Sequence, residues 1–122
     1  MEIGAKSTST LVVTEQLTAA VMGSGDLPVL ATPAMIALME NAAMNAVAPA
    51  LPDDQTTVGS LMNASHLKPT AVGDTVEATA TLVAVEGRKL TFRVETHDSE
   101  GVIALDACTA FSRKVNVLTL ED

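Results

Sequence analysis

Two periodicities run along this chain. From residue 89 to 98, Leu90, Phe92 and Val94 alternate with Lys89, Arg93, Glu95 and His97, which predicts a strand with one apolar and one polar face. Residues 75–86 repeat the pattern, with Val76, Ala78, Ala80, Leu82 and Ala84 set among Thr and Val. Residues 57–67 predict a further strand that stops before Pro69, and residues 102–117 a last one, long enough to be bent or bulged. Thr and Val at 7–15 predict a strand near the start. Glu86-Gly87-Arg88 and Asp98-Ser99-Glu100-Gly101 are short turn sequences, so the strands they join are antiparallel. Gly23-Ser24-Gly25-Asp26 reads as loop.

The second periodicity is helical and covers residues 35–47, rich in Ala, Leu and Met. Thr32 is a suitable N-cap, Pro33 suits the first helical position, and Pro49 and Pro52 stop the helix. At about 100° per residue, Met35, Ile36, Met39, Ala42, Ala43, Ala46 and Val47 share one broad apolar arc, with Ala37, Asn41, Asn45 and Ala48 opposite. Glu40 lies at the edge of the arc. A helix apolar over so much of its circumference is expected to be largely buried. The order strand, helix, four strands gives an α+β fold, with the helix packed on the concave face of an antiparallel sheet. Open sheet edges and an uncovered flank favour a homodimer.

The chain has 122 residues, the size of one domain, and 48% of them are hydrophobic, a folding composition. A single domain is expected over residues 1–122. Phe92 and Phe111 are the only aromatic residues, so the core is built from Val, Leu, Ala and six Met, and no aromatic platform for stacking bases exists. A net charge of −8 argues against nucleic acid and against an anionic membrane surface. Cys108 is the single cysteine, which excludes a disulfide within the chain and a zinc site built on cysteines. Residues 1–6 lack the apolar stretch of a signal peptide, and the apolar run 33–39 is far short of the ~20 residues that span a bilayer. A soluble, cytoplasmic protein is expected.

Few residues carry candidate chemistry. His97 belongs to the polar face of an alternating strand and reads as a solvated side chain. His66 sits at a strand end, in Asn63-Ala64-Ser65-His66-Leu67-Lys68-Pro69, where it either builds a site or merely ends the strand. Glu40, a carboxylate beside a buried face, either meets a partner or reaches solvent past Met44. Thr32 is accounted for by capping alone. Gly59 within a strand marks a bulge or a close approach of another group. Cys108 reads as a small buried hydrophobe. The sequence contains no glycine-rich phosphate loop, no Gly-x-Ser-x-Gly elbow and no metal-ligand cluster.

Taken in order, Val29-Leu30-Ala31-Thr32-Pro33-Ala34-Met35, Glu40, Thr57-Val58-Gly59-Ser60, Ser65-His66-Leu67, Pro69-Thr70 with Val72-Gly73, and Val85-Glu86-Gly87-Arg88-Lys89-Leu90 resemble the hotdog-fold thioesterases related to fluoroacetyl-CoA thioesterase. The resemblance runs from about residue 29 to 101. It implies a hotdog fold, a long helix wrapped by an antiparallel sheet, and a dimer. It also implies a catalytic set of Thr32, Glu40 and His66, with the Gly59 N–H facing the thioester carbonyl. A nucleophile, a base and an oxyanion donor are what thioester cleavage needs. Covalent and water-first routes both stay open. Where the family carries a Thr-His-x-Arg pattern in the last strand, this chain has Ala107-Cys108-Thr109-Ala110, and residues 23–30, before the helix, hold no Phe lid.

The expectation is therefore an acyl-CoA thioesterase acting on a small or medium acyl group, without fluorine selectivity. No metal or redox cofactor is expected, and coenzyme A enters as part of the substrate. Its phosphates need bases, for which Lys68, Arg88, Lys89, Arg113 and Lys114 are the candidates. The alternatives are a non-catalytic hotdog acyl-CoA-binding or assembly module and a hotdog hydratase, although no Asp and His pair stands on the helix to serve a hydratase.

Overall fold

The computed structural model describes residues 1–114. Within them lie β1 (Lys6–Val12), a one-turn helix α1 (Ala19–Met22), the long helix α2 (Thr32–Val47), β2 (Gln55–Asn63), β3 (Thr75–Glu86), β4 (Lys89–Asp98) and β5 (Gly101–Lys114). The strands form one antiparallel sheet in the order β1-β3-β4-β5-β2. α2 packs chiefly on β1 and β3, and less on β2 and β4.

The alternation seen in the sequence is the reason for this shape. Val76, Ala78, Ala80 and Leu82 of β3, Leu90, Phe92 and Val94 of β4, and Ile103, Cys108 and Ala110 of β5 are all buried under the helix. Small Ala residues bring the helix close, and Met35 and Met39, both fully buried, fill the space that aromatics occupy in other cores. Gly87, at φ 61°, makes the tight turn from β3 to β4. The bulge expected in the last strand is present: pairing steps from Thr96↔Ala104 to His97↔Val102, leaving Ile103 as the extra residue, so Ile103 and Ala104 both point into the core. Residues 115–117 of that expected strand lie outside the described residues.

Several expectations need correcting. The N-cap of α2 is Ala31, in extended conformation and without a side-chain cap bond, while Thr32 is already helical. Helix burial is confined to Ala34, Met35, Leu38, Met39, Ala42, Ala43 and Val47. Leu38, absent from the expected arc, is buried, whereas Ile36 and Ala46 are only half-buried. Ala37, Glu40, Asn41, Met44 and Asn45 are exposed, so the helix is not largely buried in a single chain. The strand expected at 57–67 runs Gln55–Asn63 and leaves His66 in the following loop. There the Ser65 N–H goes to a side-chain carboxylate, Asp106, instead of a strand partner. The strand expected at 7–15 ends at Val12, because the chain turns into short helical segments too brief to show a period.

Candidate active site

Two pairs of residues are brought together. At the start of α2, the Thr32 hydroxyl lies 2.7 Å from Nδ1 of His66, across 34 positions of sequence. Thr32 is free for this contact because Ala31, not Thr32, is the N-cap of the helix. The loop carrying His66 is fixed from both sides. Ser65 donates its backbone N–H to Oδ1 of Asp106 at 2.5 Å, and the Leu67 N–H donates to the Ile103 carbonyl at 2.8 Å. Further along, the Thr70 hydroxyl donates to Oδ2 of Asp98 at 2.8 Å, and the Lys68 ammonium sits 3.1 Å from Oδ1 of the same carboxylate. The Thr70 carbonyl accepts the Leu30 N–H at 2.9 Å, tying this loop to the segment that leads into α2. Thr32, His66, Leu67 and Lys68 line a cavity of about 300 Å³.

The second pair is Glu40 and Gly59. A Cβ placed on Gly59 would stand 2.5 Å from Oε2 of Glu40, so the carboxylate occupies the space that any other residue would fill. The strand is also bulged here, with pairing shifting between Gly59 and Leu61. Both meanings of a glycine within a strand, bulge and close approach, hold at this one position. Glu40, Gly59, Met44, Cys108 and Ala110 line a cavity of about 310 Å³, distinct from the first. Eight residues of helix separate Thr32 from Glu40, about 12 Å along the axis at 1.5 Å per residue. In one chain the two pairs therefore face different spaces.

Electrostatics separate the roles further. Burial pushes the His66 imidazole below its ordinary value, while the Asp106 carboxylate and the Lys68 backbone pull it up. His66 is accordingly neutral near pH 7 and able to accept a proton. Burial also raises Asp106, with the Ser65 N–H and His66 opposing. At Asp98 burial acts upward, but the Glu100 N–H, Thr70 and Lys68 outweigh it and hold the carboxyl below its usual range. The Cys108 thiol is pushed up to about 11 by burial and by Glu40, so it remains protonated and is no nucleophile. Among the described residues no three of His, Cys, Asp and Glu gather as a metal site requires, and no helix is long and apolar enough to cross a membrane.

The five bases do not converge. Arg88, Arg113 and Lys114 line a cavity of about 210 Å³ with Gln55 and Ser112. Lys89 is exposed on β4, and Lys68 stands beside His66, paired with Asp98. Asp106 and Asp98 were not singled out from the sequence. Their signal was available: each continues the inward register of its strand, Asp106 between Ala104 and Cys108, Asp98 two places after Thr96.

One long helix lying across a curled antiparallel sheet is the hotdog architecture. A hotdog-like protein from Thermanaerovibrio acidaminovorans has the same fold, with a TM-score of 0.89 at 22% identity over 99% of this chain and 90% of that one. Residues 13–110 match the family model described as fluoroacetyl-CoA-specific thioesterase, FlK, and the chain belongs to that family. It is 43% identical to the fluoroacetyl-CoA thioesterase of Streptantibioticus cattleyicolor over 70 residues, which are 57% of this chain and 50% of that protein. The match thus spans half the length of that curated relative. A mutant of FlK, solved with fluoroacetate and CoA, superposes with a TM-score of 0.90 at 30% identity, covering 97% of this chain and 99% of that one.

Proposed function

We propose that this protein is an acyl-CoA thioesterase, hydrolysing a small or medium acyl thioester to the free acid and coenzyme A, and that it works as a cytoplasmic homodimer. The observation that carries the reading is the 2.7 Å contact between Thr32 and His66 at the start of the helix, in a chain of the fluoroacetyl-CoA-specific thioesterase family. His66 accepts a proton at Nδ1 from the Thr32 hydroxyl or from a water that Thr32 holds. The oxygen so activated attacks the thioester carbonyl. The Gly59 N–H receives the developing oxyanion, and Glu40 orients the attacking group or attacks directly. The C–S bond then breaks, and the proton held by His66 passes to the departing thiolate. Where water attacked, the free acid is formed at once. Where Thr32 or Glu40 attacked, a water that gives its proton to His66 then cleaves the acyl ester or anhydride, releasing the free acid and restoring the side chain. No resident metal or redox cofactor enters these steps.

A dimer joins the two pairs. Among the described residues β2 is an open edge, and Val58, Leu61 and Met44 are exposed beside Glu40. A two-fold pairing across this flank sets the Thr32–His66 pair of one subunit against Glu40 and Gly59 of the other. The cluster of Arg88, Arg113 and Lys114 is the favoured seat for the CoA phosphates, and Lys68, already paired with Asp98, is the weakest candidate. The acyl space is bounded by small or flexible groups such as Ala37, Ala43, Met44 and Ala110, which tolerate related chains.

The test is thiol release from a panel of short, branched and aromatic acyl-CoAs that includes acetyl-CoA and fluoroacetyl-CoA. The expected result is turnover of several small aliphatic esters, with the fluorinated ester favoured only modestly through its activated carbonyl. Binding across the panel with no thiol released would return the chain to a non-catalytic module. A preference for fluoroacetyl-CoA of many thousand-fold would overturn the specificity.

A further inference from the structure

Beside the Thr32–His66 pair, β5 carries an acid that the steps above leave unused. Asp106 lies among the inward positions Ala104, Cys108 and Ala110 and is 8% exposed. Its Oδ1 accepts the Ser65 N–H, and the neighbouring Ile103 carbonyl accepts the Leu67 N–H. β5 therefore grips the loop on both sides of His66, while the imidazole Nδ1 is engaged by Thr32. Two buried polar atoms here have no partner among the described residues: Nε2 of His66 and Oδ2 of Asp106.

The chemistry of a neutral imidazole connects these two atoms. For the Thr32 hydroxyl to donate to Nδ1, the ring proton must sit on Nε2. A buried N–H needs an acceptor, and a buried carboxylate oxygen needs a donor. Among the described residues, these polar groups bear on His66. α2 offers the Thr32 hydroxyl, and the loop itself offers the Lys68 backbone, which also pulls the imidazole up, and the Lys68 ammonium, which is held by Asp98 of β4 and lies near Glu100. β5 offers Asp106, the charge that pulls the imidazole up against burial.

We infer that Asp106 is a positioning residue for His66: in the working enzyme its Oδ2 accepts the Nε2–H, holding the tautomer in which Nδ1 can take a proton from Thr32 or water. The Asp106 charge already acts on the imidazole, and neither Oδ2 nor Nε2 has another partner among the described residues. The carboxylate then faces the imidazolium that forms when the proton moves, and does not take the proton itself. The catalytic consequence rests on the thioesterase reading; the tautomer and the titration of His66 do not.

The experiment is an NMR titration of the two histidines in the full chain and in Asp106→Asn, with His97→Gln to assign the resonances. In the wild type, neutral His66 is expected to carry its proton on Nε2. Asn keeps an acceptor for the Ser65 N–H but removes the charge and can present an N–H₂ to the ring. The variant is therefore expected to lower the His66 pKa by about half a unit or more and to shift the proton toward Nδ1. In turnover, the acid limb of kcat/KM moves down by the same interval and kcat falls on the order of 10²-fold, with KM changed little. A His66 that keeps its pKa and tautomer in a folded Asp106→Asn overturns the inference. The wild-type spectrum decides alone if the variant does not fold, because neutral His66 protonated on Nδ1 also overturns it. An unchanged titration beside a working thioesterase removes Asp106 only, whereas a shifted titration in a chain without thioesterase activity removes the proposed reaction only.

Discussion

A methyl group at residue 59 would stand 2.5 Å from Oε2 of Glu40, closer than carbon and oxygen pack, so one of the two must yield. Glu40 is exposed and its carboxylate ends a flexible side chain, so the acid gives way and the strand does not. Gly59→Ala is therefore expected to cost little stability, about 1 kcal/mol or less. The same substitution should lower turnover by on the order of 10²-fold, because it displaces Glu40 and crowds the N–H proposed for the oxyanion. Thermal melts beside kcat measurements check this; a large stability loss with normal kcat contradicts it. At this scale the sequence was partly legible. A glycine inside a strand announced a close approach without saying what approached. Thr32 looked like a cap because capping is the local use of a Thr before a helix, whereas its partner, His66, is 34 positions away and invisible to local rules.

At the scale of elements, β3 and β4 have the bounds that their alternation predicts, since each strand buries one face under α2. β2 ended early for a reason no periodicity contains: the Ser65 N–H finds the Asp106 carboxylate. Hydropathy overstates the burial of α2 because it does not distinguish a face buried by its own sheet from one left exposed beside an edge strand. The loop between β2 and β3 is held at its far end by Asp98, which is 6% exposed and bonded to Thr70, Lys68 and the Glu100 N–H. Burial raises the Asp98 carboxyl and these partners lower it further, so its pKa is depressed on folding. A depressed carboxylate contributes stability that is present above its unfolded value, about 3.9, and lost as pH falls through the folded value. The wild type is therefore expected to lose Tm below about pH 4 more steeply than Asp98→Asn, which has no such carboxylate to protonate. Parallel melts from pH 7 to 3 measure it, and identical slopes contradict it.

For the whole molecule, the proposed site is divided within a single chain. Among the described residues its sheet ends in two open edges, β1 and β2, and the flank beside β2 exposes Val58, Leu61 and Met44 around an acid proposed for catalysis. The net charge of −8 makes the local grouping of Arg88, Arg113 and Lys114 more telling, since a polyanionic substrate approaching an acidic protein needs such a place. The central claim, a thioesterase site shared between two subunits, is tested most directly by mixing two inactive variants. His66→Ala disables one half of each site and Glu40→Gln the other, so each homodimer alone should be nearly inactive. When the two are co-expressed, random pairing makes half of the dimers hybrid, and each hybrid has one intact site, giving about a quarter of wild-type acyl-CoA hydrolysis. Activity no higher than that of the separate variants would show that His66 and Glu40 serve a site within one chain, or no common site, and would contradict the account.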